Sequence, residues 1–154
     1  VINILGARNS DLLILEEELR AVGDKIFICT DDGSRGEKGL ITQPLTGILK
    51  EERVDLVVAV GPVPMMKAVS ELTKEHNVKT FVSLNSIMID GTGMCGGCRV
   101  IVGDELKFTC VDGPEFDGHL VDFESLGKRL KTYQKEETES FEQYKHKCKL
   151  EGGI

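Results

Sequence analysis

The sequence has little that would mark a nucleic-acid-binding or membrane protein. It contains no Trp, and aromatic residues make up only 5% of its 154 residues, so a surface for stacking bases is not expected. The formal net charge is −7, whereas proteins that bind phosphate backbones neutralise them with Lys and Arg. No apolar run approaches the length of a membrane span, and no charged-then-apolar leader opens the chain. We therefore expect a cytoplasmic protein with neither nucleic acid nor membrane as a partner.

Cysteine is also scarce, and it is unevenly distributed. The chain has five cysteines, and three of them, Cys95, Cys98 and Cys110, lie in one short segment. An odd number with a cluster of three is more typical of a metal or redox site than of a secreted disulfide framework. The chain also begins with Val1 rather than Met, which predicts a piece of a longer polypeptide.

Strands and helices alternate through the first half of the chain. The segments "VINILGAR", "KIFICT", "DLVVAVG" and "KTFVSLN" are predicted to be buried strands. Helices are predicted between them over residues 9–23, 43–52 and 64–76; the first would be capped by Asn9 or Ser10 and end at Gly23. This alternation predicts an α/β fold with a doubly wound parallel sheet.

The pattern changes after residue 85. The segment "CRVIVGDELKFTC" is predicted to be a hairpin symmetric about Asp104, in which Cys98 faces Cys110 on one side of the ribbon. The same symmetry pairs Val102 with Leu106 and Val100 with Phe108. We therefore divide the chain into a nucleotide-binding domain (1–85), a small lobe (86–121) and a C-terminal helix and tail (122–154).

The C-terminal segment is predicted to be one charged helix from Asp122 to Leu150. Mostly apolar side chains recur along it at alternating spacings of four and three, so they form one stripe. Either this stripe packs back on its own domain or it contacts a partner subunit. Its members are Leu126, Leu130, Tyr133, Glu137, Phe141, Tyr144 and Cys148.

Several kinds of site are compatible with the cysteine cluster. Three thiolates at this spacing could hold a structural zinc ion, with Cys148 or a carboxylate as the fourth ligand. A disulfide between Cys98 and Cys110, buried unliganded cysteines and a thiol–disulfide relay using Cys95 and Cys98 are further alternatives. Another interpretation is an iron–sulfur cluster, because the glycines of "GTGMCGG" allow a loop with N–H groups pointing inward. In the plant-type spacing a Cys stands five positions before the Cys-x2-Cys pair, and Asp90 occupies that position here.

The chain resembles a known family at this point. The segment "MIDGTGMCGGCRVIVGDELKFTCVDGPEFDGH", together with "CTDDGSRGEKG" and "VAVGPVPMMKAV", is similar to the C-terminal half of ferredoxin reductase-type electron-transfer subunits. This family includes subunits of dihydroorotate dehydrogenase, of cytosolic hydrogenases and of NADH-dependent ferredoxin:NADP oxidoreductase, also called sulfide dehydrogenase. The resemblance extends from Val1 to about Phe123. It implies a Rossmann-like nucleotide domain, an iron–sulfur β-hairpin lobe and a terminal helix.

The resemblance also implies a [2Fe–2S] cluster and its ligands. They would be Asp90, Cys95, Cys98 and Cys110. In the dihydroorotate dehydrogenase branch all four ligands are Cys, so the departure at Asp90 matches the ferredoxin:NADP oxidoreductase branch. A carboxylate is a harder donor than a thiolate and favours ferric iron, so we expect a changed reduction potential. The open alternative is that Asp90 only caps the loop.

A nucleotide site is expected at the carboxyl ends of the strands. Asp31 and Asp32 could bind the ribose hydroxyls of NAD, whereas Arg8, Ser34, Arg35 and Lys38 could clamp the 2′-phosphate of NADP, so the choice of NAD(P)H stays open. The resemblance places Gly61 and Pro62 at the nicotinamide pocket and Met65 on the helix behind it. The predicted cofactor-binding residues are Gly6, Arg8, Asp31, Asp32, Ser34, Gly61, Pro62 and Met65.

Two parts that the family places upstream are missing from the sequence: a Gly-rich pyrophosphate loop after a first strand, and a flavin-binding β-barrel. FAD would therefore be bound outside this chain. The lost inner strand would leave unpaired edges on its neighbours, which another copy of the chain, among other strands, could cover.

The resemblance implies an oxidoreductase subunit that passes electrons between NAD(P)H, through FAD, and a larger iron–sulfur or flavin partner subunit by way of the cluster. No catalytic side chain is needed, because the cofactors carry the chemistry, and the isolated piece is not expected to turn over. The rival interpretation is a non-catalytic assembly module with a structural zinc site of three Cys and Asp, or of four Cys.

Overall fold

A computed structural model describes the backbone of residues 1–150 and the side chains of residues 1–145. The strands are β1 Ile2–Ala7, β2 Lys25–Thr30, β3 Glu37–Lys38, β4 Leu56–Val60, β5 Lys79–Ser83, β6 Arg99–Val102, β7 Glu105–Phe108 and β8 Glu115–Asp117. The helices are α1 Glu16–Val22, α2 Thr42–Glu51, α3 Val63–Glu75, α4 Thr109–Asp112, α5 Phe123–Leu130 and α6 Gln134–Leu150. The α/β class is confirmed. The chain folds as two compact units, one of residues 1–57 and 71–79 and the other of residues 58–70 with those from 80 onward.

The first unit is built on a parallel sheet. β1 pairs with β2 in the register that joins Ile2 to Lys25 and Ala7 to Thr30, and β3 lies beside β2. β-Branched residues favour the pleated backbone of these strands. Cys29, Leu45 and Ile48 are buried in this unit. The predicted strands and the helix α2 are therefore confirmed.

The first predicted helix is shorter than its sequence pattern indicated. A single 3₁₀ turn covers Ser10–Leu12, and α1 begins only at Glu16, after Leu15 adopts a left-handed conformation with φ 58°. Asn9 precedes the 3₁₀ turn without a side-chain cap. Leu12 and Leu15 are exposed, so burial does not stabilise a continuous leucine stripe, and burial provides most of a helix's stability in a protein. The end at Gly23 is confirmed, because its N–H donates to the Leu19 carbonyl at 3.0 Å.

The second unit contains a mixed sheet. Its strand order is β4-β5-β8, and β8 runs antiparallel to β5, with Phe81 opposite Asp117. The sequence analysis missed β8, a strand of only three residues. Met66, Val69 and Val82 are almost fully buried and form part of the core of this unit. The predicted parallel sheet is therefore confirmed for β1–β3, but the sheet of the second unit is mixed.

Two edge strands stand out among residues 1–150. The strands form two separate three-stranded sheets, with β1 at the edge of one and β4 at the edge of the other. On β4, Leu56, Val58 and Val60 are 48%, 59% and 69% exposed, whereas Ala59 between them is buried. Such a row of apolar side chains on a strand with one free edge is a ready surface for further pairing.

The hairpin forms, but its register differs from the predicted one. Val102 pairs with Glu105, and Ile101 pairs with Leu106, so the ladder is displaced by one residue from symmetry about Asp104. The reason is the turn, which has only two residues, Gly103 and Asp104, and Gly103 supplies the positive φ of 62° that two-residue hairpin turns favour. The prediction that Leu106 faces Val102, Phe108 faces Val100 and Cys110 faces Cys98 across the ladder is therefore wrong.

The C-terminal segment is two helices rather than one. α5 ends at Leu130 and α6 begins at Gln134. Leu126 on α5 is almost fully buried, but Tyr133, Phe141 and Tyr144 are exposed, so the stripe does not pack on its own domain beyond α5. The predicted contribution of Cys148 lies outside the described side chains.

None of the helices in residues 1–150 combines the length and the apolar character needed to cross a membrane.

Candidate metal centre and nucleotide site

The loop from Asp90 to Gly97 depends on glycine. Gly91, Gly93 and Gly96 have φ values of 73°, 81° and 66°, a region that residues with a Cβ rarely adopt. The loop curls tightly as a result, and two backbone N–H groups point at cysteine sulfurs. The Gly97 N–H donates to Cys95 Sγ at 3.3 Å, and the Gly93 N–H is directed at the thiol of Cys110.

Asp90 closes this loop with its carboxylate. Its Oδ1 accepts the N–H of Thr92 and its Oδ2 accepts the N–H of Cys95, each at 2.9 Å. These bonds, the one from Thr92 first, lower the pKa of Asp90 below its ordinary value. Asp90 is therefore ionised at neutral pH. Its hydrogen bond to the backbone of Cys95 fits a capping role, and the exposure of its side chain leaves it accessible to a cluster.

Cys98 and Cys110 come together at the other side of the site. The Cys98 and Cys110 thiols are hydrogen-bonded, with their sulfurs 3.2 Å apart. This bond, which favours the protonated thiol, and then burial raise the pKa of Cys110. The convergence that the ribbon symmetry predicted is present, but Cys110 lies in the first turn of α4 rather than on a strand. Both cysteines are free, as are Cys29 and Cys95, so the alternative disulfide is not formed.

The four predicted ligands occur as two pairs. Asp90 and Cys95 form one pair through the loop backbone, and Cys98 and Cys110 form the other through their thiols. No group of three or more His, Cys, Asp or Glu side chains among the described residues converges on a point that could hold one metal ion. A binuclear iron–sulfur cluster takes two protein ligands on each iron, and the paired arrangement fits that requirement.

The predicted nucleotide residues fall in both units. Gly6 is the second-last residue of β1 and Arg8 follows that strand, whereas Asp31, Asp32 and Ser34 follow β2. These five residues therefore lie at the carboxyl ends of adjacent parallel strands. All five are exposed. Asp32 Oδ1 accepts from the N–H and the hydroxyl of Ser34 at 2.9 and 2.6 Å, which lowers the pKa of Asp32. The loop after β2 is thereby ordered with its carboxylate ionised.

Arg35, which the sequence analysis offered as a phosphate clamp, is paired. Its Nη2 donates to Glu16 at 2.8 Å. The remaining candidates lie in the second unit, where the Pro62 carbonyl accepts the N–H groups of Met65 and Met66 and starts α3. A Cβ on Gly61 would lie 2.4 Å from Met65 Cε, so the end of the Met65 side chain packs directly against this glycine.

Comparisons with known proteins identify relatives. Residues 85–122 match the family described as the iron–sulfur cluster binding domain of dihydroorotate dehydrogenase B. The chain is 46% identical over 144 residues to the "Dihydroorotate dehydrogenase B (NAD(+)), electron transfer subunit homolog" of Thermotoga maritima, covering 94% of this chain and 51% of that protein. It is 42% identical over 123 residues to the probable counterpart from Methanocaldococcus jannaschii, covering 80% and 47%.

A solved structure extends this result to the fold. The structure is one of the NADH-dependent reduced ferredoxin-NADP oxidoreductase, described in connection with flavin-based electron bifurcation. The matched chain superposes with a TM-score of 0.82 at 45% identity, covering 93% of this chain and 51% of that one. The chain is homologous to these electron-transfer subunits.

The homology has a defined extent. The chain spans about half the length of the relatives it matches. The iron–sulfur domain match over residues 85–122 contains Asp90 and all three clustered cysteines. The resemblance and the ferredoxin reductase-type fold expected from the sequence are therefore confirmed, and so is an iron–sulfur binding domain.

Two residues that the sequence analysis missed hold the backbone of the candidate metal site. The Thr109 N–H and hydroxyl both donate to the Cys98 carbonyl, at 3.1 and 3.0 Å. Arg129, 32 positions after Gly97, donates from Nη2 to the Gly97 carbonyl at 2.8 Å. The position of Thr109 beside Cys110 was a usable signal, but no local pattern connects Arg129 with the loop.

Proposed function

We propose that this chain binds a [2Fe–2S] cluster through Asp90, Cys95, Cys98 and Cys110, within a lobe of residues 86–121. The observation that carries the proposal is the 3.2 Å approach of the Cys98 and Cys110 sulfurs beside a glycine-rich loop that holds Asp90 against Cys95. When bound, such a cluster accepts and donates one electron at a time. The residues of the chain position the ligands, keep Asp90 ionised and direct N–H groups at sulfur.

We further propose that the whole protein transfers electrons between NAD(P)H and a larger partner subunit. The residues predicted to contact NAD(P)H are those at the ends of β1 and β2 in the first unit, and Gly61, Pro62 and Met65 in the second unit. FAD would be held by a part of the protein outside this chain, as the resemblance implies. The relatives support this proposal, because they are named as electron transfer subunits, or a homolog of one, of dihydroorotate dehydrogenase B (NAD(+)).

Anaerobic reconstitution with iron and sulfide tests the cluster. We expect a red-brown protein that contains iron and acid-labile sulfide and has a visible absorption spectrum. Cys110→Ser should lose most of the iron and the colour. The matched control is Cys29→Ser, which removes a buried thiol from the first unit and should retain both.

The same experiment separates this function from the rival assembly module. A colourless protein that takes up one zinc ion and no sulfide would contradict the proposal and favour a structural zinc site. Cys148→Ser then identifies the fourth ligand, because this variant should lose zinc if Cys148 coordinates it and should leave an iron–sulfur cluster intact.

A further inference from the structure

The Cys95-Gly96-Gly97-Cys98 turn has an arginine on each of its two glycine carbonyls. Arg129 Nη2 donates to the Gly97 carbonyl at 2.8 Å, and Arg99 Nη1 donates to the Gly96 carbonyl at 2.9 Å. The Gly97 N–H points the other way, to Cys95 Sγ. The carbonyls thus face cations while an N–H group faces sulfur.

The two arginines differ in their surroundings. The side chain of Arg99 is exposed, whereas the contact of Arg129 is partly buried. Water and salt screen an exposed charge far more than a partly buried one. Hydrogen bonds that involve a charged group are also about twice as strong as neutral ones. Arg129 therefore has the larger electrostatic effect on the turn.

Arg129 also joins two elements of the second unit. It lies near the end of α5, where Leu126 is almost fully buried, so the helix that carries it is anchored in the core. Gly97 is next to Cys98, whose carbonyl accepts both donors of Thr109. A bond from a fixed helix to Gly97 restricts the backbone on which the Cys98 thiol is placed.

From these contacts we infer that Arg129 is a positioning residue that orders the Cys95–Cys98 turn and raises the reduction potential of the cluster bound there. The inference rests on the proposed function for the potential, but not for the ordering of the turn. Reduction adds one negative charge to the cluster, and a fixed positive charge beside the ligand loop stabilises that added charge. Arg129 neither binds iron nor transfers a proton.

The test compares Arg129→Gln with Lys128→Gln. Both variants remove one positive charge from α5, but Lys128 is exposed. The midpoint potential of the reconstituted chain is measured by redox titration of its visible and EPR spectra. We expect a more negative midpoint in Arg129→Gln, an unchanged one in Lys128→Gln and partial recovery in Arg129→Lys. Equal midpoints in Arg129→Gln and the unmodified chain, or equal shifts in the two Gln variants, would overturn the inference.

A second readout needs no cluster. In the metal-free chain, amide hydrogen exchange at Thr109 reports on the bond to the Cys98 carbonyl. We expect exchange to accelerate about tenfold in Arg129→Gln, because the charged hydrogen bond that restrains the turn is lost, and to stay unchanged in Lys128→Gln. Unaltered exchange in Arg129→Gln would refute the ordering role. Failure of the unmodified chain to bind iron would instead refute the proposed function and leave this readout decisive.

Discussion

Asp90 connects three positions of the ligand loop, because its two carboxylate oxygens accept N–H groups from Thr92 and Cys95. A side chain that only caps the loop and one that also binds iron would both keep these bonds. These two hydrogen bonds therefore do not distinguish the capping role from the ligand role. Replacing the carboxylate oxygen by a sulfur donor at this position does distinguish them.

We predict that Asp90→Cys raises the midpoint potential of the reconstituted cluster, because thiolate is a softer donor than carboxylate and favours ferric iron less. Redox titration of the visible spectrum measures the shift. Asp104→Cys, which adds a thiol at the tip of the hairpin in the same lobe, is the control and should leave the midpoint unchanged. An unchanged midpoint in Asp90→Cys would remove Asp90 from the set of ligands.

At the scale of elements, α5 links the core of the second unit to the ligand loop. Its N-terminus is capped by Asp122, whose Oδ1 accepts the Ser125 N–H at 2.9 Å, and its inner face places Leu126 in the core. The sequence predicted this start and this buried position correctly, because both are local signals. It did not predict the end of α5 at Leu130, because the spacing of four and three continues without a break into α6. The stripe residues Tyr133, Phe141 and Tyr144 on that continuation are exposed.

We predict that Leu126→Ala lowers the free energy of unfolding by about 2–5 kcal/mol, because it leaves a cavity at a position only 1% exposed. Denaturant unfolding measures the change. Leu106→Ala, on the exposed face of the hairpin at 58% exposure, should cost far less. Similar losses in the two variants would mean that α5 is not anchored in the way described.

In the first unit, α1 is tied to the loop after β2 by Glu16. Its carboxylate accepts from Arg35 at 2.8 Å and Arg20 at 3.0 Å, and the bond to Arg35 is the main cause of its lowered pKa. A lowered pKa in the folded state means that the ion pairs stabilise the fold above the unfolded pKa of about 4.3. That stabilisation is lost as the pH falls through the folded value.

We therefore predict that Glu16→Gln flattens the decline in thermal stability between about pH 5 and pH 3. The effect should be small, because the pairs are near the surface and screened by water. Thermal unfolding at a series of pH values measures it, and Glu17→Gln on the same helix is the control. If both variants decline as steeply as the unmodified chain, the ion pairs contribute nothing measurable.

For the whole molecule, the described strands form three sheets, and an apolar row lies on β4, at the edge of one of them. We propose that a second copy of the chain covers this row when the chain is isolated. We predict concentration-dependent self-association that Val58→Lys weakens, because a charge at the centre of the row must be desolvated on pairing. Sedimentation velocity over a range of concentrations measures it.

The control for this prediction is Val22→Lys, which places the same charge at an exposed position on α1 and should not change association. A strictly monomeric unmodified chain would contradict the proposal. So would slow amide exchange along the free edge of β4 in dilute solution, because an uncovered edge exchanges quickly.

Sequence patterns predicted most of this fold, and the failures have physical causes. Short apolar, β-branched runs located β1, β2, β4 and β5, because this pattern is encoded locally in the sequence. β8 is too short to show a period, and the hairpin register followed from a turn one residue shorter than assumed. The proposed ligand set came from the family resemblance together with the cysteine spacing, whereas Arg129 was missed because its contact spans 32 positions and depends on tertiary packing.

The position of Cys110 in a helical turn, directly after the hairpin, has a consequence for how this lobe can vary. Cys98 precedes β6 and Cys110 lies in α4, directly after β7, so their contact is set at the open end of the hairpin, opposite its turn. Inserting one residue into each arm next to Gly103 and Asp104 would lengthen the ribbon and leave the base intact. A single residue inserted between Phe108 and Cys110 would rotate the thiol away by about 100°, the turn per residue of an α-helix. The number of residues between these cysteines can thus change by two at the turn of the hairpin, whereas the spacing from Phe108 to Cys110 cannot change.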